Sequence, residues 1–154
     1  MKTTPGELAD TLIFEPDVYR DERGAFFEIW QQERYREAGL AHDFAQDMHS
    51  ISSRNVLRGL HYQIRKPQGH LVTVLRGRIY DVGLDLRRDS ATFGEWMGLE
   101  LDGERRQQVW LPPGIAHGFC VLSEQAEIAY KCSEFYAPGD EGGVRWDDPE
   151  LGIP

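Results

Sequence analysis

No stretch of this chain approaches the ~18 consecutive apolar residues that a membrane-crossing helix needs. The first six residues, Met1-Lys2-Thr3-Thr4-Pro5-Gly6, are polar and do not form a secretion signal. Cysteine is scarce. Cys120 and Cys132 are the only two, and they lack the close pairing of a CxxC metal or redox site. Both fall in apolar, strand-like segments and are expected as buried free thiols in a reducing, cytoplasmic setting. Positive charge is also short: 17 Lys and Arg face 26 Asp and Glu, for a net charge of −9. That balance argues against nucleic acid or an anionic membrane as partner, and leaves small anions to be met by a local basic cluster. Low-complexity tracts, internal repeats and long linkers are absent, so the 154 residues are expected to form one domain, 1–154.

What is present suits a packed core: 40% hydrophobic residues and 17 aromatics. Residues 10–30 read as strand, turn and strand, with the turn at Asp21-Glu22-Arg23-Gly24 and a second strand over Ala25–Trp30. Gln31 to Ala38 reads as a helix, polar through Glu33, Arg34, Arg36 and Glu37 and ended by Gly39. After residue 44 short strands dominate: Leu71–Leu75, Ile79–Leu86, Trp96–Leu101, Gln108–Leu111, His117–Leu122, Glu127–Tyr136 and Val144–Trp146. Roughly ten-residue spacing with Gly, Pro and Asp punctuation predicts an all-β sandwich or barrel able to enclose a ligand cavity. Alternation along Ile79–Leu86 puts Asp81 and Asp85 on one face.

Chemistry concentrates in Val56-Leu57-Arg58-Gly59-Leu60-His61-Tyr62-Gln63. Arg58 and His61 would normally face opposite ways in a strand, but Gly59 permits a bulge that re-aims one of them. A cation beside an imidazole that titrates near neutral pH suits acid/base work on an anionic ligand. A second segment, Leu111-Pro112-Pro113-Gly114-Ile115-Ala116-His117-Gly118-Phe119, sets a histidine after a Pro-x-Gly turn and looks like the second cupin signature. The first, His-x-His followed by Glu, is missing. His61, His70 and His117 are a conceivable facial metal set, but the expectation is no metal.

Several further segments follow in order. They are Asp21-Glu22-Arg23-Gly24 with Phe26-Phe27-Glu28, Gln46-Asp47, Ser50 with Ser52-Ser53, Gln68-Gly69, Ser90 with Thr92-Phe93-Gly94, Tyr130-Lys131, and Trp146-Asp147-Asp148-Pro149. Together with the two segments above, this order resembles the dTDP-4-dehydrorhamnose 3,5-epimerase family from about residue 12 to 150. The resemblance implies a cupin-type double-stranded β-helix jelly roll with one short helix near the N-terminus. It implies a homodimer without cofactor, and a nucleotide-diphosphate 4-keto-6-deoxyhexose as substrate. A proton next to the ketone is removed and one is returned on the opposite face, at C3, C5 or both.

By the same resemblance His61 is the base and Tyr130 the acid. A neutral imidazole accepts a proton at neutral pH, and a phenol keeps its proton yet can donate to a carbanion. Arg23, Glu28, Gln46, Asp47, Met48, Arg58, His117 and Glu141 match substrate-contacting positions. Arginine pairs bidentately with phosphate oxygens. Three departures stand out. His70 replaces the lysine thought to stabilise the enolate oxygen. Met48 replaces an asparagine after Gln46-Asp47. The late aspartate that pairs with the catalytic histidine has no match before Pro154, which leaves Asp81 or Asp85 to orient His61. These departures keep a C3-only epimerase, a 3,4-ketoisomerase and an inactive sugar-nucleotide binding module as alternatives.

Overall fold

A computed structural model describes all 154 residues. Alternating apolar and polar residues produce thirteen short strands and one helix. In chain order they are β1 (Lys2–Pro5), β2 (Leu12–Glu15), β3 (Val18–Asp21), β4 (Gly24–Phe27), α1 (Gln32–Glu37), β5 (Gln46–Ser53), β6 (Leu57–Gln63) and β7 (His70–Arg76). Then follow β8 (Arg78–Asp85), β9 (Trp96–Asp102), β10 (Gln108–Leu111), β11 (Ile115–Val121), β12 (Gln125–Cys132) and β13 (Glu141–Gly143). One sheet has the order β1-β2-β10-β7-β12-β5 and the other β13-β6-β11-β8-β9, while β3 and β4 form a separate hairpin. Successive strands from β5 to β8 and from β9 to β13 alternate between the two main sheets, the winding of a jelly roll. The all-β expectation therefore holds, and the two sheets face each other across one core.

That core follows from the period-2 pattern. Val72 and Val74 of β7, Ile79 of β8, Val109 and Leu111 of β10, Ile115 and Val121 of β11, and Ala126 and Ile128 of β12 are buried in one cluster. Each such aliphatic side chain contributes about 1.5–3 kcal/mol by leaving water. A second cluster lies outside the six-stranded sheet, where Tyr35 of α1 packs with Phe14, Leu40, Leu71 and Trp110. Here α1 begins where expected: the Gln31 side chain accepts a hydrogen bond from the Arg34 amide at 2.6 Å. Gly39, with φ +102°, takes the left-handed conformation that ends the helix. Glu33, Arg34, Arg36 and Glu37 are exposed, a solvated face.

The second carboxylate-bearing corner is structural. Asp85 is buried and accepts from Arg87 Nη2 at 2.7 Å, Ser90 Oγ at 2.6 Å and Thr92 Oγ1 at 2.8 Å, closing the β8–β9 connection. Several boundaries differ from expectation, among them the end of β12, at Cys132 rather than Tyr136. The last strand is Glu141–Gly143, not Val144–Trp146, because its backbone pairs with the edge of β6. β4 ends at Phe27 rather than Trp30. No helix is long and apolar enough to cross a membrane.

Candidate active site

The inward faces of the strands are apolar at depth and polar toward one end, where a cavity of about 220 Å³ opens. The β6–β11 ladder builds one wall. His117 pairs with His61 and Phe119 with Arg58, so β6 spends three residues where β11 spends two. This bulge turns Arg58 and His61 to the same side as His117 and Phe119. Gly59 makes it possible: its φ is +125°, and a Cβ there would lie 2.8 Å from the His117 carbonyl oxygen. The expectation that Gly59 re-aims one of the pair is met.

The facing wall comes from β7, β12 and β5. His70, Tyr130, Cys132, Met48 and Ser50 line it, and Glu141 of β13 and Tyr136 stand at its rim. The His117 ring is 5.7 Å from that of His70 and 6.2 Å from that of Tyr130. Arg58 Nε donates to Ser52 Oγ at 3.1 Å, which steadies the guanidinium beside the opening. Tyr130 shares a 3.1 Å hydrogen bond with Ser50 Oγ. Burial raises the Tyr130 phenol above its ordinary value despite that bond, so its proton is retained at neutral pH.

His70 behaves unlike a lysine. Burial, and secondarily the neighbouring His117, push its pKa down to about 3, so it stands neutral in the cavity. Its Nε2 lies 3.4 Å from Gln68 Oε1. Cys132, absent from the expected set, is also on this wall. Burial pushes its thiol up to about 11, which removes it as a nucleophile. Inward alternation with Tyr130 along β12 was the signal that could have found it.

The structure thus brings together Met48, Arg58, His61, His70, His117, Tyr130 and Glu141. It does not bring Arg23, Glu28, Gln46 or Asp47 to the cavity of the same chain. Arg23 Nε donates to Asp21 Oδ2 at 2.9 Å on the exposed hairpin, and Glu28 pairs with Arg34 at 3.0 Å rather than with Arg23. Asp47 pairs with Lys131 at 2.9 Å. Gln46 Oε1 accepts from the Tyr136 amide at 2.8 Å and so holds a rim residue without lining the cavity. The carboxylate expected for His61 is neither aspartate: Asp81 Oδ2 is 2.8 Å from His117 Nε2, and Asp85 belongs to Arg87. The three histidines do not converge on a metal position; no group of three His, Cys, Asp or Glu side chains has that spacing. Both cysteines are unbridged.

This arrangement sets an imidazole on one sheet and a protonated phenol on the other, across a small cavity. A family model described as dTDP-4-dehydrorhamnose 3,5-epimerase matches residues 5–154. The chain belongs to the dTDP-4-dehydrorhamnose 3,5-epimerase family. Its relatives in that family include the Pseudomonas aeruginosa dTDP-4-dehydrorhamnose 3,5-epimerase, 52% identical over 154 residues that cover 99% of this chain and 85% of the relative. The Methanothermobacter thermautotrophicus enzyme of the same name is 50% identical, with 95% and 79% covered. Among solved structures, dTDP-6-deoxy-D-glucose-3,5-epimerase from Legionella pneumophila, in complex with dTDP-4-keto-L-rhamnose, superposes with a TM-score of 0.95 at 46% identity. That match covers 99% of this chain and 81% of the other. The Bacillus anthracis epimerase, solved with TDP and PPi bound, gives 0.93 at 38% identity, with 99% and 90% covered. The epimerase family thus carries the cupin-type fold seen here.

Proposed function

We propose that this chain is an epimerase of a dTDP-linked 4-keto-6-deoxyhexose, inverting C3 and C5 by proton removal and return on opposite faces. The observation that carries the roles is the placement of His61 on β6 of one sheet and Tyr130 on β12 of the other, both lining one cavity. A sugar held between them presents one face to a base and the other to an acid, as an inversion requires. His61 takes the proton alpha to the ketone. The electron pair moves to the ketone oxygen, and Tyr130 returns a proton from the far side. Arg58 at the opening suits a phosphate oxygen, and Glu141 at the rim suits a sugar or base hydroxyl or amide.

A homodimer belongs to this reading. The β3–β4 hairpin stands off the barrel with Tyr19 and Phe26 exposed, and it carries Arg23 away from its own cavity. A second copy supplies a surface for those aromatics and a cavity that Arg23 can serve. The two unbridged thiols fit a reducing, cytoplasmic location.

The test is proton NMR of dTDP-4-keto-6-deoxyglucose in deuterated water. Loss of the H3 and H5 signals with wild type, abolished by His61→Ala, is expected. Loss of H3 alone would make the protein a 3-epimerase. Migration of the carbonyl would make it a ketoisomerase. No exchange, with ligand-induced thermal stabilisation, would leave a binding module.

A further inference from the structure

Asp81 is fully buried, and its only hydrogen-bond partner is His117. Its second oxygen, Oδ1, has no partner at all. A carboxylate so enclosed is costly unless a cation compensates it. The groups packed around His117 offer few candidates. Asp81 faces it from β8, His70 from β7, Tyr130 from β12, and His61 is its register partner on β6. Arg58 lies further along β6, bonded to Ser52, and Cys132 and Glu141 complete the ionisable lining. Tyr130 and Cys132 hold their protons, and His70 is neutral. His117 Nε2 is the one side-chain contact the structure gives that carboxylate.

Position makes this consequential. His117 lies between the base and the acid, across the ladder from His61 and ring to ring with His70 and Tyr130. A ketone flanked by two inverted carbons has one oxygen that carries the enolate charge in both steps. With Nε2 committed to Asp81, Nδ1 and any hydrogen it carries remain for the cavity that His117 lines. We infer that His117, as an imidazolium, donates this hydrogen to the developing enolate oxygen, with Asp81 as its positioning residue. In this chain the cation expected at residue 70 of β7 stands instead on β11 of the facing sheet. The inference rests on the epimerase reading above.

Two measurements on the intact protein test it. Long-range 1H–15N NMR of the histidine side chains reads protonation without substrate. At pH 7 both nitrogens of His117 are expected at imidazolium shifts, lost in Asp81→Asn, while His70 shows a neutral ring. Deuterium exchange into dTDP-4-keto-6-deoxyglucose reads the chemistry. Asp81→Asn is expected to lower kcat about 10²–10³-fold, the cost of removing one oxyanion donor, with KM within about threefold. Asp81→Asn with His70→Lys is expected to recover at least tenfold by returning a cation to the site. A neutral His117 at pH 7 in wild type, or exchange in a folded Asp81→Asn within threefold of wild type, would overturn the inference. Should wild type fail to exchange at all, the epimerase reading falls, whereas the nitrogen shifts still decide where the charge resides.

Discussion

Gly59 and Gly118 face each other across the β6–β11 ladder so closely that a Cβ on Gly59 would lie 2.4 Å from the Gly118 Cα. The contact is what lets β6 bulge and present Arg58 and His61 on one side. Gly59→Ala should therefore fail twice over, through a φ of +125° that an L side chain rarely adopts and through collision with backbone that cannot yield. The strain alone costs about 1–3 kcal/mol. Urea unfolding is expected to show at least that loss, and any folded fraction should have lost most activity because both site residues shift. A stable, fully active Gly59→Ala would show that the bulge is not glycine-dependent.

Tyr130 and His61 should separate in their effects. His61→Ala removes the base and with it all solvent exchange. Tyr130→Phe keeps the base but not the opposite proton. Its variant is expected to retain exchange with the original configuration while inversion falls about 10²–10⁴-fold. Product analysis by NMR alongside deuterium incorporation distinguishes the two. Equal loss of exchange and inversion in Tyr130→Phe would place the tyrosine in proton removal instead.

His70 links the cavity to stability. Its pKa in the folded state, about 3, lies below the ~6.5 of a free imidazole. Between those values the unfolded chain binds the extra proton, so stability rises with pH there. The contribution from keeping the ring neutral is complete above about pH 6.5 and is lost progressively as the pH falls toward 3. His70→Gln should lose less stability than wild type between pH 7 and pH 4.5, measured as urea midpoints at each pH. Parallel midpoints for the two proteins would count against a buried, neutral His70.

Asp85 acts in the same direction, in a lower pH window. Its hydrogen bonds to Arg87, Ser90 and Thr92 outweigh the effect of burial and hold its pKa below the usual carboxylate range. The stabilisation is present above the ordinary value near 4 and disappears as the pH falls through the lowered one. Asp85→Ala, which leaves the Ser90 and Thr92 hydroxyls without their acceptor and Arg87 with Asp10 as its remaining carboxylate, should cost about 1–3 kcal/mol at pH 7. Activity per folded molecule should change little, since Asp85 does not line the cavity. A thermal melt and an activity assay on the same sample decide it.

The exposed hairpin gives a prediction about assembly. Phe26→Ser should weaken self-association by removing an exposed aromatic, and Arg23→Ala should raise KM without disturbing the barrel. Light scattering and steady-state kinetics check the pair. A wild-type monomer at micromolar concentration would refute the dimer.

Much of this was legible beforehand, for identifiable reasons. Gln108–Leu111 was recognisable as a strand because four buried residues stand between polar and proline-rich neighbours. Gln31 and Gly39 marked α1 because caps act locally. The strand at Glu141–Gly143 was not legible, since its pairing uses backbone groups and its side chains carry no apolar signal. Asp81 was placed on the right face but given the wrong histidine. Alternation says which way a side chain points, whereas its partner depends on which strand lies alongside. Arg23 and Glu28 were singled out by resemblance to the family; within one chain Arg23 lies at the exposed hairpin turn and Glu28, just after it, pairs with Arg34.

The graded lining of the barrel, aliphatic at depth and polar at one end, also bears on how such a protein can change. On β7 the residue at the opening is His70, while Val72 and Val74 on the same face are sealed in the core. Folding is thus underwritten by one end of each strand and chemistry by the other. A lineage can exchange a cation for an imidazole at the opening and explore a different reaction outcome, with the scaffold that tolerates the experiment left intact.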